Sequence, residues 1–486
     1  MITIKDLTLD ALDLYMKPCF EDKTYNNTEL EALVNSKAFS GKEGEVFVLP
    51  KLGEKVSYTI FLGVGKEEEF TGEVLRKAVA QGIKKARALK VNKVGIELCV
   101  CNKLCVGGNI KALTEAAMLA DYQFKRCQKQ EERAEMDIYL MGVPENKLQR
   151  AGEVLEESKN VAQGVIIARD LTNEPSNILY PETLAEKVVA LGNEAGFEVE
   201  VMDEKEIKAL GMEAFLAVGG SSARQPRLIV MRHKGASSED EVLGLVGKGL
   251  TYDTGGYSLK PTDSMKTMHS DMGGAAAVVG AMYTIAKNKV NRNITAVVAA
   301  CENVISSDSY KPGDIISSMS GKTIEIGNTD AEGRLTLADA VTYIIEKENV
   351  DKVIDLATLT GAALVALGTI TTAVITNNET FYSELTAAAS KTGELFWQLP
   401  SHPSYAKQNK SDIADLKNIG GRNAGTITAG LFVGEFVQDK PWIHLDIAGT
   451  AWSDSAEGYL SKGGTGVPVR TLYTLVAEPC PCHNKK

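Results

Sequence analysis

No uninterrupted apolar run in this sequence approaches the ~20 residues that a helix needs to cross a bilayer, so no membrane partner is expected. The opening stretch Met1-Ile2-Thr3-Ile4-Lys5-Asp6-Leu7 has no long apolar segment of the secretory kind, and a cytoplasmic protein is expected. Basic charge is short as well. Lys and Arg total 53 against 64 Asp and Glu, a net charge of −11, which opposes general nucleic-acid binding. The local basic cluster Lys84, Lys85, Arg87 and Lys90 reads as a solvated helix face. Paired Cys-x-x-Cys spacing is absent. The eight cysteines, with Cys99, Cys101 and Cys105 close together and Cys480 and Cys482 beside His483, suggest reduced thiols rather than a disulfide framework or a zinc site. The glycine-rich stretch Gly420-Gly421-Arg422-Asn423-Ala424-Gly425 lacks the Lys-Ser/Thr of a phosphate-binding loop and reads as packing. No Ser/Gly-rich linker divides the chain, so its parts are expected to be fixed relative to one another.

What is present is the composition of a globular protein, 44% hydrophobic and 24% charged, in 486 residues, too long for one ordinary core. Short apolar runs alternate with helical patterns. In the first region the strands expected are 46–49, 58–65, 94–100 and 138–143, with helices over 70–90 and 109–124. Residues 145–170 read as a long helix able to bridge two domains. Beyond it, strands are expected at 226–232, 242–248, 294–300, 350–356, 371–376 and 442–447, with helices between most of them. The fold class is therefore α/β: a smaller N-terminal α/β domain (1–150) and a larger catalytic α/β domain (151–486) with a mixed central sheet flanked by helices.

Two acidic stretches carry the chemistry. In Asn328-Thr329-Asp330-Ala331-Glu332-Gly333-Arg334-Leu335, charged residues recur at every second position. If extended, that segment would project Asp330, Glu332 and Arg334 to one side. A carboxylate pair there suits a hard divalent cation, and the arginine suits an anion. Taken alone, such a triple is more often a surface salt-bridge cluster. Upstream, a strand ending near Lys248 leads into the glycine-rich stretch Gly249–Gly256 with Asp253, followed by Lys260. Asp271 then lies at a helix start, where a lone carboxylate is commonly a cap. In an open α/β sheet, sites gather at the carboxyl ends of strands, which is where these residues fall.

Together the stretches resemble the leucyl aminopeptidase family of dinuclear metallopeptidases. The octapeptide Asn-Thr-Asp-Ala-Glu-Gly-Arg-Leu stands unchanged at 328–335. Val246–Gly256 matches Val-Gly-Lys-Gly-x-Thr-Phe-Asp-Ser-Gly-Gly with Tyr252 for Phe and Thr254 for Ser. Lys260-Pro261, Asp271–Ala276, Asp355–Gly361, Asn173–Asn177 and His444–Trp452 also match, so the resemblance covers about 165–475. It implies that Asp253, Asp330 and Glu332 hold one metal and that Lys248, Asp253, Asp271 and Glu332 hold a second. By the same resemblance Lys260 and Arg334 are the active-site cations, and Met268, Leu359 and Thr360 bind substrate.

The activity implied is removal of the N-terminal residue, leucine-like by preference, from peptides with a free amino terminus. The cofactors implied are two divalent ions, manganese or zinc with magnesium or cobalt as alternatives, and a bicarbonate ion at Arg334. A homohexamer is the implied assembly. His269 is the only histidine in the two acidic stretches and is not expected to be a ligand. The competing readings are another dinuclear hydrolase, such as a phosphoesterase, and a DNA-binding protein on the same fold.

Overall fold

The computed structural model describes residues 1–53, 57–124, 127 and 134–477. Its first sheet has six strands in the order Ile2–Ile4, Asp137–Met141, Lys93–Glu97, Leu14–Cys19, Ser57–Gly63, Val46–Lys51. All neighbours run parallel except the last pair. The strand Leu14–Cys19, not anticipated from the sequence, is central. Lys17 and Pro18 blur its alternation, yet Leu14 and Met16 are wholly buried. Helices Gly72–Ala88 and Val106–Asp121 put Leu75, Val79, Ile83, Ile110 and Leu113 into this sheet's core.

The helix Leu148–Asn173 joins this core to the next. Its 26 residues span about 39 Å at 1.5 Å per residue. Ala151, Val154 and Leu155 pack into the first core, and Val161, Ala162, Val165 and Ala168 into the second. A buried ionic network also crosses between the two parts. Arg76 Nε lies 2.7 Å from Glu115 Oε2, and Arg470 Nη1 lies 3.4 Å from the same oxygen. Arg76 further donates to the carbonyls of Lys391 and Thr392. Such groups are costly to separate once desolvated, so the parts are locked together as the missing linker suggests.

The second sheet is mixed and eight-stranded: Leu395–Gln398, Thr371–Thr376, Trp442–Asp446, Lys352–Ala357, Val242–Asp253, Asn293–Asn303, Arg227–Lys234, Glu198–Met202. The four central strands are parallel. Helices Gly273–Lys287 and Gly333–Glu346 bury nearly every side chain, one in each of the cores on either side of this sheet. The two strands not anticipated here, Glu198–Met202 and Leu395–Gln398, are its edges. They are short, five and four residues, and none of their residues is fully buried, as befits strands at the margin of a sheet. A small sheet of Ile315–Ser317, Thr323–Glu325 and Leu416–Lys417 stands just before the 328–335 segment.

One expectation about cysteine is corrected. Cys19, Cys99, Cys101, Cys127 and Cys301 are free, but Cys105, which starts the helix Val106–Asp121, is disulfide-bonded. Cys480, Cys482 and His483 lie outside the described residues.

Candidate active site

The strand Val242–Asp253 runs five residues further than the apolar pattern suggests. What reads as a glycine-rich loop is strand as far as Asp253. Its parallel partner Asn293–Asn303 stays paired to the end, with a one-residue shift of register between Cys301 and Glu302, so that Asn303 stands opposite Asp253. The glycines have steric reasons. A Cβ at Gly247 would come 2.7 Å from Ala275 Cα, and one at Gly249 2.7 Å from the Ala299 carbonyl. The helix Gly273–Lys287 thus docks on bare backbone. Beyond Asp253, Gly255 and Gly256 adopt φ of 84° and 62°, turning the chain back so that Lys260 re-enters the site.

The 328–335 segment is not an extended strand. Glu332 has helical dihedrals (φ −76°, ψ −38°), and Gly333 begins the helix Gly333–Glu346. The charged residues converge because a loop turns into a helix, not because a pleat alternates. Asn418 braces that loop: its side chain accepts from Gly327 N at 2.8 Å and donates to Asn328 O at 2.7 Å.

The two stretches meet. Single carboxylate oxygens of Asp253, Asp330 and Glu332 lie within 4.8 Å of one another. Lys248 Nζ, 3% exposed, lies 2.8 Å from Asp271 and 2.9 Å from Glu332 Oε1, and donates to Thr358 O at 3.0 Å. Lys260 Nζ lies 2.8 Å from Asp253 Oδ2 and also pairs with Asp330. Asp271 does not N-cap the helix Gly273–Lys287; Met272 stands at that position. Asp271 Oδ1 accepts from Lys248 Nζ and from Thr358 Oγ1, each at 2.8 Å. These groups line one cleft of about 560 Å³, together with the uncharged Met268, Leu359, Thr360, Leu364, Ala451 and Trp452.

Arg334 is set behind this wall. It is 8% exposed, donates from Nη1 to Asn418 O at 2.8 Å, and leaves Nε without a hydrogen-bond partner. His269 packs edge-on against Trp452, with ring centroids 5.4 Å apart. His444 is wholly buried with Nδ1 2.6 Å from Asp355 Oδ1, so neither histidine joins the cluster.

Four carboxyls share this space with two ammonium groups in direct contact. Burial pushes Glu332 up to about 8, with repulsion from Asp253 adding to it. Burial also pushes Asp271 up to about 6, and raises Asp330. Burial opposes the charge on both lysines, but Asp271, Glu332 and Asp253 around Lys248, and Asp253, Glu332 and Asp330 around Lys260, hold both firmly protonated. Burial lowers Arg334 to about 10. The site is thus short of positive charge. Glu332 Oε2 is buried with no hydrogen-bond partner at all. A buried, unpartnered carboxylate oxygen among three converging carboxyls is the donor set a hard divalent ion requires.

Comparison with known proteins follows the same lines. The catalytic-domain model of the cytosol aminopeptidase family matches residues 166–473, and that family's N-terminal-domain model matches 20–131. The chain belongs to the cytosol aminopeptidase family. A probable cytosol aminopeptidase from Clostridium perfringens is 49% identical, covering 98% of this chain and 99% of the relative. One from Aquifex aeolicus is 41% identical over 95% and 93%. Among solved structures, a tomato leucine aminopeptidase mutant superposes with a TM-score of 0.87 at 31% identity, covering 98% of this chain and 96% of that one. The bottromycin maturation enzyme BotP in complex with Mn gives 0.86 at 30% identity, over 96% and 99%. The protein is a metal-dependent aminopeptidase of α/β fold that acts on peptides. The phosphoesterase and DNA-binding readings find no support, and no described helix is long and apolar enough to cross a membrane.

Sequence reasoning gave no role to three residues that shape the site. Thr358 and Asp446 sat inside matched blocks, where their side-chain types pass as ordinary packing. Asn303, which donates to Asp253 Oδ1 at 2.7 Å and to Thr329 O at 3.0 Å, had no signal, being one residue in an apolar strand.

Proposed function

We propose that Asp253, Asp330 and Glu332 hold one divalent ion and that Lys248, Asp253, Asp271 and Glu332 hold a second, Asp253 and Glu332 being shared. The observation that carries this is the charge deficit of a buried cluster in which Glu332 Oε2 has no partner. When bound, the ions supply an activated water and polarise the scissile carbonyl. The chain's own residues do the rest. Asp253 and Asp330 fix the Lys260 ammonium at the cleft wall, from where it donates a hydrogen bond to the oxygen that gains charge at the scissile carbon. Asn303 and the Gly255 amide, both donating to Asp253 Oδ1, keep that carboxylate in place. Arg334, whose buried Nε has no hydrogen-bond partner, would hold a bicarbonate ion as the family resemblance implies, and that ion would supply a proton acceptor.

Met268, Leu359 and Thr360 receive the terminal side chain, and the apolar lining suits leucine-like residues. Manganese or zinc is the leading choice from the family resemblance, magnesium and cobalt also suit such a site, and geometry and supply in the cell would choose among them. The chain divides at the bridging helix into an assembly part (1–150) and a catalytic part (151–486). It works in the cytoplasm, in keeping with the names of its relatives, and as a homohexamer, which rests on the family resemblance alone. The deciding experiment pairs metal analysis with hydrolysis of leucyl and dipeptide substrates. Two ions per chain with metal-dependent release of the first residue is expected, and one ion with full activity would refute the shared-ligand scheme. Sedimentation of an active monomer would refute the hexamer.

A further inference from the structure

Asp446 ends the strand Trp442–Asp446, one residue before the chain turns into a cleft wall. It is 1% exposed and touches no metal-site residue by hydrogen bond. Its Oδ1 accepts from Leu359 N at 3.2 Å, from Thr360 N at 3.4 Å and from Ala448 N at 3.1 Å. Its Oδ2 accepts from Thr360 Oγ1 at 2.6 Å. These donors belong to two different walls. Leu359 and Thr360 lie on the segment after the strand Lys352–Ala357, which goes on to Gly361 and Leu364. Ala448 opens the segment that goes on to Gly449, Ala451 and Trp452. Both segments line the cleft. The strands beneath are paired in parallel, with Ala357 opposite Asp446, so the two walls leave the sheet side by side.

The Thr360 hydroxyl is a second node. It accepts from Ala363 N at 3.2 Å, capping the helix Gly361–Leu367, and lies 2.9 Å from Thr426 Oγ1 on the helix Gly425–Gly434. One carboxylate and one hydroxyl therefore tie two walls and two helices together. Leu364 is 41% and Val365 90% exposed, so the outer part of the first wall has little packing of its own to hold it.

We propose that Asp446 is a positioning residue for substrate selectivity: it sets the separation of the two walls that receive the terminal side chain. The inference rests on the reading that Leu359 and Thr360 bind substrate. The carboxylate reaches no reacting atom, so its loss alters which substrates fit rather than how bonds break. A pocket whose width is fixed separates substrates differing by a few methylenes; a slack one does not.

The test compares the fully metallated wild type with Asp446→Ala and Asp446→Asn on leucyl and alanyl p-nitroanilides, with metal stoichiometry measured alongside. In Asp446→Ala the leucyl-over-alanyl ratio of kcat/KM should fall by about 10-fold or more, within the range that contacts to a few methylenes command. The fall should come through a raised KM for the leucyl substrate, while kcat for the alanyl substrate and metal content hold. Asparagine keeps the Oδ1 acceptor for three N–H groups, so Asp446→Asn should restore most of the ratio. A parallel loss on both substrates with the ratio unchanged would overturn the proposal, as would equal damage by Asn and Ala. Should Asp446→Ala not fold, Thr360→Val decides. It removes the hydroxyl from Oδ2 and should lower the ratio in the same sense, and a wild-type ratio there overturns the idea. If the wild type itself shows no preference between the substrates, the substrate-binding assignment has failed instead.

Discussion

Replacing Gly333 by alanine should damage the metal site although no proposed ligand is replaced. Gly333 is the first residue of its helix, where alanine is normally the better helix former by ~0.8–1.0 kcal/mol in an interior position. Here the added Cβ would lie 2.5 Å from Lys248 Cε, 2.7 Å from Nζ and 2.8 Å from Cδ. Carbon atoms rest at about 3.5–4.0 Å, so the lysine must retreat by about 1 Å. A surface lysine would do so freely. Lys248 is 3% exposed, and its Nζ is held at 2.8 Å by Asp271, 2.9 Å by Glu332 and 3.0 Å by the Thr358 carbonyl. Moving it about 1 Å stretches at least two of these contacts beyond hydrogen-bond range. Overpacking and the weakened charged contacts together should cost about 2–4 kcal/mol, outweighing the helix gain. Denaturant melts in chelator read the stability loss, and metal titration should show the Lys248–Asp271 side weakened while the other ion stays. A variant within about 0.5 kcal/mol of wild type, binding both ions normally, would show that Lys248 is not fixed as described.

Lys260→Ala should lower kcat by about 10²–10³, the usual loss of an oxyanion donor, with metal content near wild type. Loss of both ions would recast Lys260 as structural. Lys248→Arg should bind one ion, because a guanidinium cannot shed its proton to coordinate; equilibrium dialysis finding two would remove Lys248 from the ligands. The pH dependence follows from Glu332, raised from 4.5 to about 8, and Asp271, raised from 3.8 to about 6. Raised carboxyls favour the folded metal-free protein below about pH 4 and lose that contribution as pH climbs toward 8. Bound ions need the carboxylates ionised, so the rise in Tm on adding manganese should grow between pH 5 and 8; a constant increment by calorimetry would refute this.

The candidate ligand set was legible because its residues lie in two short segments whose order and spacing are unusual; the structure brings both segments to one cleft. Pleat alternation does not account for the convergence in 328–335. Asp330, Glu332 and Arg334 alternate in sequence, but Glu332 is helical, and a pattern of charges cannot tell a pleat from a loop entering a helix. The Asp253 strand was cut short for a related reason. Gly247 and Gly249 weaken a strand pattern, and only the docked helix at Gly247 and the adjacent strand at Gly249 explain why nothing larger fits there. In the first sheet, Leu14–Cys19 hid behind Lys17-Pro18, and the clamp of Arg76, Arg470 and Glu115 joins positions up to 394 residues apart through side chains that single-sequence periodicity treats as surface. Long-range polar pairing of this kind leaves no local trace.

The two lysines explain why the site can be built before any ion arrives. Lys248 Nζ touches Asp271 and Glu332, and Lys260 Nζ touches Asp253 and Asp330. Each ammonium therefore stands among carboxylates that would otherwise repel one another in a desolvated space. The lysines differ in what holds them. Lys248 is 3% exposed and is also anchored by the Thr358 carbonyl, so it cannot leave; when its charge is no longer needed it can only give up its proton in place. Lys260 is 16% exposed and opens toward the cleft, so it can keep its proton and turn to the substrate. Burial thus separates a lysine suited to coordination from one suited to donation, though both carry the same side chain and lie twelve residues apart.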